Sequence, residues 1–154
     1  MIAWTRRLAG YGPASAGTFT SGATEATLTA LLPARAAWQP DAWSADVRGP
    51  LPVIVHGEHT HYAVSRAVGV LGLGTATCVS VSARNWRLDP RALAATLEGP
   101  YREGRPVLAV VATAGHTATG SFDDLESIAA VCDRFDAWLH VEGAHGAWRG
   151  TRTG

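Results

Sequence analysis

The chain has 154 residues, enough for one domain of ordinary size. Hydrophobic residues at 47% with charged residues at 17% exclude a disordered polymer. A formal net charge of zero excludes nucleic-acid or anionic-membrane binding driven by bulk charge, so neither is expected as a partner. All 13 basic residues are arginine, and no lysine occurs. No apolar run approaches a membrane span, and no apolar segment follows Arg6-Arg7 as a secretory signal would require; a cytoplasmic location is expected. Cys78 and Cys132 lack a CxxC spacing and are expected as buried free thiols.

Residues 1–10 predict a short amphipathic helix with Ile2, Trp4 and Leu8 facing inward, stopped by Gly10-Tyr11-Gly12-Pro13. Small and hydroxyl residues over 17–24 then form a loop feeding a helix that carries Leu28, Leu31 and Leu32, which Pro33 is expected to break or kink. Residues 38–51 are a connection containing proline and tryptophan. Residues 51–55 read as an apolar strand. His56 to Tyr62 follow as a polar loop, then a helix with Val64, Ala67, Val68 and Leu71 on its apolar side.

A third apolar stretch, 77–81, is a strand, and residues 85–90 turn the chain into a helix over 90–97 that Gly99-Pro100 ends. Residues 107–111 form a β-branched strand of the kind buried on both faces. After the turn 113–117, Ser121 with Asp124 suggests a capping-box start for a helix whose apolar face is Leu125, Ile128, Ala129 and Cys132. Residues 137–141 are the next strand, and Glu142 sits at its carboxyl end, where open α/β sheets bind ligands. Strands alternate with helices throughout, so the class is α/β with a mostly parallel sheet and flanking helices. Residues 147–154 lose periodicity and are expected to form an irregular tail.

Several positions could carry chemistry. The loop 17–24 places N–H groups and hydroxyls at a helix N-terminus, suited either to a phosphate or to a plain capped turn; it is neither a Walker A loop nor a GxGxxG fingerprint. The run His56-x-x-His59-x-His61 lacks a fourth ligand, so no metal is expected; stacking or hydrogen bonding by one imidazole competes with a solvated loop. Glu142 can pair with a cationic ligand atom or with an arginine. Trp138 and Trp148 read as packing residues.

Three blocks in order, GTFTSGATEATLTALLPAR from Gly17, HTHYAVSRAVGVLGLG from His59 and ATAGHTATGSFDDLESIAAVCDRFDAWLHVEGAHGA from Ala112, resemble the group II pyridoxal-phosphate-dependent amino acid decarboxylases of fold type I. The resemblance implies residues 1–146 as part of that fold's large cofactor-binding domain. The amino-terminal segment, the segment bearing the cofactor's lysine and the small carboxy-terminal domain are expected to be absent. It implies pyridoxal 5′-phosphate as cofactor, an amino acid as substrate and a homodimer for the completed protein.

By position, Ala23 and Thr24 would hold the phosphate, and His61 would stack on the ring and orient the substrate carboxylate. Thr117 would lie at the phenolic side of the ring, and Ala144 would pack beneath it. Glu142 stands where the family has an aspartate paired with the pyridine nitrogen. Glutamate is one methylene longer, so its carboxylate must fold back or the ring must shift. His116 replaces a common threonine, and Ala23 a common glycine. Without lysine, the chain is expected to be inactive alone and unable to attach the cofactor covalently. The alternatives are a non-catalytic remnant, a split subunit needing a complementing chain, or another fold-type-I enzyme such as an aminotransferase or desulfurase.

Overall fold

The computed structural model describes residues 1–148. Most of the tail expected over 147–154 therefore lies outside the described residues. Helices α1 (Ile2–Leu8) and α2 (Ala23–Trp38) and a 3-10 turn at Pro40–Trp43 precede the first strand. Then follow β1 (Val53–Gly57), α3 (Ala63–Val70), β2 (Cys78–Val81), a two-stranded hairpin β3 (Ala83–Arg84) and β4 (Arg87–Leu88), and α4 (Pro90–Arg102). The chain closes with β5 (Val107–Thr113), α5 (Leu125–Arg134) and β6 (Trp138–Glu142).

The four main strands form one parallel sheet in the order β2-β1-β5-β6. Side chains alternate between two cores, as a period of two requires. Val53, Val55, Val110 and Ala112 face α4 and α5, where they meet Leu93, Leu97, Ile128 and Cys132. Ile54, Ala109 and Val111 face α2 and α3, where they meet Leu31, Ala34, Val64 and Val68. With helices on both faces, β1 and β5 read as unbroken apolar runs, which is why they were legible. Between the first two pairs of the β1–β5 ladder the register shifts, since Val53 pairs with Val107 and Ile54 with Ala109. That leaves Leu108 as the extra residue of a bulge.

Several local expectations are corrected. In α1 no residue is buried: Ile2, Trp4 and Leu8 are 44%, 60% and 39% exposed. Helix α2 is not broken at Pro33, because buried Leu31 and Ala34 hold both sides of it on the sheet. Helix α4 likewise runs through Gly99-Pro100 to Arg102. Helix α5 is capped by Asp124, whose carboxylate accepts from Ser127 N–H at 3.1 Å, while Ser121 Oγ donates to the Trp86 carbonyl at 2.9 Å. Trp138 and Trp148 are half-covered, at 46% and 49% exposure, with Trp138 on the groove at the amino ends of β5 and β6. Cys132 is buried and Cys78 half-buried, both as free thiols; burial pushes the Cys132 thiol up to about 11. No helix among the described residues is long and apolar enough to cross a membrane.

Candidate functional site

From β1 the chain moves outward to β2, and from β5 outward to β6 on the other side. The order therefore reverses between β1 and β5. A crevice opens at the carboxyl ends of the strands at such a reversal, and here it is a cavity of about 180 Å³. His59 and His61 reach it from the β1–α3 loop, Trp86 from the hairpin, Thr113, His116 and Thr117 from the end of β5 and its turn, and Glu142 from the end of β6. Larger open grooves, of about 650 Å³ and 750 Å³, lie elsewhere. One is at the amino ends of β5 and β6 and the other beside the hairpin and the starts of α4 and α5. Neither contains a histidine.

The turns after β5 and β6 are pressed together. A Cβ on Gly146 would overlap the Ala114 carbonyl oxygen and the Phe122 ring, and one on Gly115, at φ +92°, would come within 2.9 Å of the Gly146 backbone. Only glycine permits this approach. Ala114 N–H donates to the Glu142 carbonyl at 2.7 Å, and Thr113 is the ladder partner of Glu142. Glu142 Oε1 accepts from Ala144 N–H at 2.9 Å, and Oε2 makes no hydrogen bond among the described residues.

His61 Nδ1 accepts from Ala63 N–H at 3.2 Å, one of the donors the first turn of α3 leaves unpaired. The neutral ring must then carry its proton on Nε2, as a donor. The ring also lies 4.3 Å from that of Tyr62. His59 instead stacks on Trp86 at 4.3 Å. His56 Nδ1 bonds the Gly57 carbonyl, and His56 does not line the cavity. Among the described residues no group of three or more His, Cys, Asp or Glu is placed to hold a metal.

Of the residues singled out from the sequence, His61, Thr117 and Glu142 meet in the cavity. Ala144 contacts it only through the Glu142 carboxylate, and Ala23 and Thr24 do not line it. Those two sit in the first turn of α2, where Glu25 accepts from both Ser21 N–H and Ser21 Oγ, bonds that hold its carboxyl below the usual range.

Sequence reasoning missed the hairpin and the residues it brings. Asn85 and Trp86, at φ 54° and 63°, form the left-handed turn of a two-residue hairpin, an unusual conformation for tryptophan. Glu58 accepts from Ala83 N–H at 2.6 Å and Asp123 from Leu88 N–H at 2.8 Å, which pins both hairpin strands to the site. Asp123 also accepts from Thr113 N–H at 2.6 Å and lies 3.4 Å from His116 Nε2. Among the described residues Thr113 Oγ1 is buried without a partner. Two residues before Glu142 on the same face of β6, His140 Nε2 is likewise unpartnered among the described residues; burial lowers the titration of this imidazole against the opposing pull of Glu142.

The sequence profile of the pyridoxal-dependent decarboxylase conserved domain matches residues 1–151. The chain belongs to that family. It is 32% identical over 162 residues to an L-2,4-diaminobutyrate decarboxylase from Acinetobacter baumannii, covering 95% of this chain and 32% of the relative. It is 32% identical over 147 residues to an aromatic-L-amino-acid decarboxylase from Bacillus atrophaeus, covering 95% and 29%.

The fold of mouse CSAD in its apo form superposes with a TM-score of 0.85 at 31% identity, over 91% of this chain and 30% of that one. The glutamate decarboxylase domain of a Vibrio parahaemolyticus diaminobutyrate-pyruvate transaminase and L-2,4-diaminobutyrate decarboxylase superposes with a TM-score of 0.88 at 28% identity, over 94% and 33%. The family member described here thus spans about a third of the length of the relatives it matches. Its α/β architecture is part of their fold.

Proposed function

We propose that this chain supplies part of the pyridoxal 5′-phosphate cradle of an amino acid decarboxylase. The observation that carries the reading is the convergence of His61, Thr117 and Glu142, from three separate strand ends, on one cavity at the reversal of the sheet. The residues fit the cofactor: one Glu142 oxygen is free for a protonated ring nitrogen, and Thr113 Oγ1 is a buried polar atom awaiting a partner. Bound pyridoxal phosphate supplies an electron sink for the pair left when CO₂ departs.

The chain's own part is to hold and orient. Glu142 keeps a positive charge on the ring nitrogen by pairing with it. His61 offers its Nε2 proton to a carboxylate and its face to the ring. Thr117 holds the phenolic side, Ala144 supports the opposite face, and the first turn of α2 at Ala23 and Thr24 receives the phosphate. Residues 1–146 then belong to the large domain of a cytoplasmic homodimer acting on an amino acid. With no lysine among the 154 residues, covalent attachment falls outside them.

Titration of the chain with pyridoxal 5′-phosphate, followed by quenching of Trp86 fluorescence in a variant whose other tryptophans are replaced by phenylalanine, tests this. Saturable quenching that Glu142→Gln weakens roughly tenfold is expected, the size of a lost charge-assisted bond. Quenching that Glu142→Gln leaves unchanged would refute the assignment.

A second reading, that the chain works only with a complementing chain, is favoured by β6. This strand sits at the sheet edge with Trp138 and Val141 exposed, and unpaired edges invite strand addition. Co-expression with the remainder of a decarboxylase chain, read as co-purification, tests it; failure to associate would sink it.

A further inference from the structure

We propose that His116 is a ligand-contacting residue of the cavity, held by Asp123 in the tautomer with its proton on Nε2, so that Nδ1 faces the ligand as a hydrogen-bond acceptor. For the ligand, though not for the tautomer, this rests on the reading above.

His116 is 7% and Asp123 6% exposed, so both are removed from bulk water. Each Asp123 oxygen already accepts a backbone N–H: Oδ1 from Leu88 at 2.8 Å and Oδ2 from Thr113 at 2.6 Å. The next neighbour of Oδ1, His116 Nε2 at 3.4 Å, meets an acceptor-only carboxylate and must be the donor. Asp123 does not line the cavity and His116 does, so the ring edge away from the carboxylate is the one presented. Among the described residues no hydrogen bond engages Nδ1, which leaves its lone pair for a ligand of the cavity that His116 lines.

The groups sharing that space are Glu142 from β6 and His59 and His61 from the β1–α3 loop. His61 spends its Nδ1 on Ala63 N–H and so offers a proton; His116 spends its Nε2 on Asp123 and so offers a lone pair. One cavity thus holds an imidazole donor and an imidazole acceptor. That pair suits a ligand with an acceptor at one end and a donor at the other. The donor is either the ammonium group of an amino acid or the ring hydroxyl of pyridoxal phosphate, and the test separates the two. Asp123 is a positioning residue, acting through His116.

The test is long-range nitrogen–proton NMR of the full chain labelled at histidine, with His116→Gln for assignment, at about pH 8, where imidazoles are neutral. A protonated Nε2 and bare Nδ1 are expected for His116, with the Nε2–H signal lost in Asp123→Leu, which has no acceptor, and kept in Asp123→Asn, whose amide oxygen can still accept. An Nδ1–H tautomer, rapid tautomer exchange in the unmodified chain, or a signal that persists in Asp123→Leu overturns the role of Asp123. Pyridoxal 5′-phosphate and L-2,4-diaminobutyrate are then added separately. The Nδ1 resonance should move with one of them, and His116→Gln should weaken that probe's binding roughly 3- to 10-fold. A shift at His61 with none at His116 overturns the ligand contact while leaving the site reading intact. Silence at both imidazoles with both probes sinks the site reading and the contact together, and the tautomer result still stands or falls alone.

Discussion

The rim at the carboxyl ends of the strands and the amino-terminal segment both contain glycine turns and large aromatic side chains. At the rim, Gly115 and Gly146 touch backbone to backbone, Asp123 is shared by β4, β5 and His116, and His116 is almost sealed from water. In the amino-terminal segment, α1 has no buried residue, and Tyr11 and Phe19 are 64% and 59% exposed. The arrangement there rests on local bonds such as Arg6 to the Pro13 and Ser15 carbonyls. A helical pattern is enough to form α1 but does not create a surface for it to cover. The rim has almost no pattern, yet its hydrogen bonds join segments from 7 to 35 residues apart in sequence.

Substitutions should reveal that difference. Gly146→Ala should have the largest effect, destabilising the chain by on the order of 3 kcal/mol in urea unfolding, because the new Cβ meets a carbonyl and a ring that cannot both retreat. A loss under about 1 kcal/mol would mean the two turns are less tightly joined than described. Asp124→Ala removes the α5 cap and should lower the urea midpoint by less than Gly146→Ala does.

His140 should show itself through pH. Its folded titration point lies below the ordinary value of 6.5, so on acidification the unfolded chain takes up the proton first, and stability is lost as pH falls through that value. The unmodified chain should therefore lose stability more steeply than His140→Leu between roughly pH 7.5 and 5.5; parallel profiles would remove the burial argument. Smallest of all, Trp4→Ala on the exposed side of α1 should change stability by less than about 0.5 kcal/mol. A larger loss would show that α1 is covered after all.

The main strands and helices were legible because burial repeats with a short period. Val107–Thr113 is apolar throughout since both its faces are covered, and Ile128 and Cys132 recur at helical spacing toward β5 and β6. The breakers misled at Pro33 and Pro100, where packing on the sheet outweighed the loss of one backbone bond. Of the site, Glu142 was visible as an acid at a strand end, and His61 and Thr117 through the family blocks. Thr113 and His116 were visible only as part of the turn at a strand's carboxyl end, and Asp123 and Trp86 were not visible as site residues.

By itself the sequence determined the α/β class, the order of the elements and the family, because alternating apolar runs and ordered motifs are local properties of the chain. Only the tertiary structure decided which imidazoles line the cavity, that Asp123 and not its neighbour Asp124 is the buried carboxylate, and that the hairpin brings Trp86 to the site. The two aspartates are adjacent and chemically identical. One caps a helix in water, and the other is surrounded by groups brought from 7 to 35 residues away, a distinction that exists only once the sheet has formed.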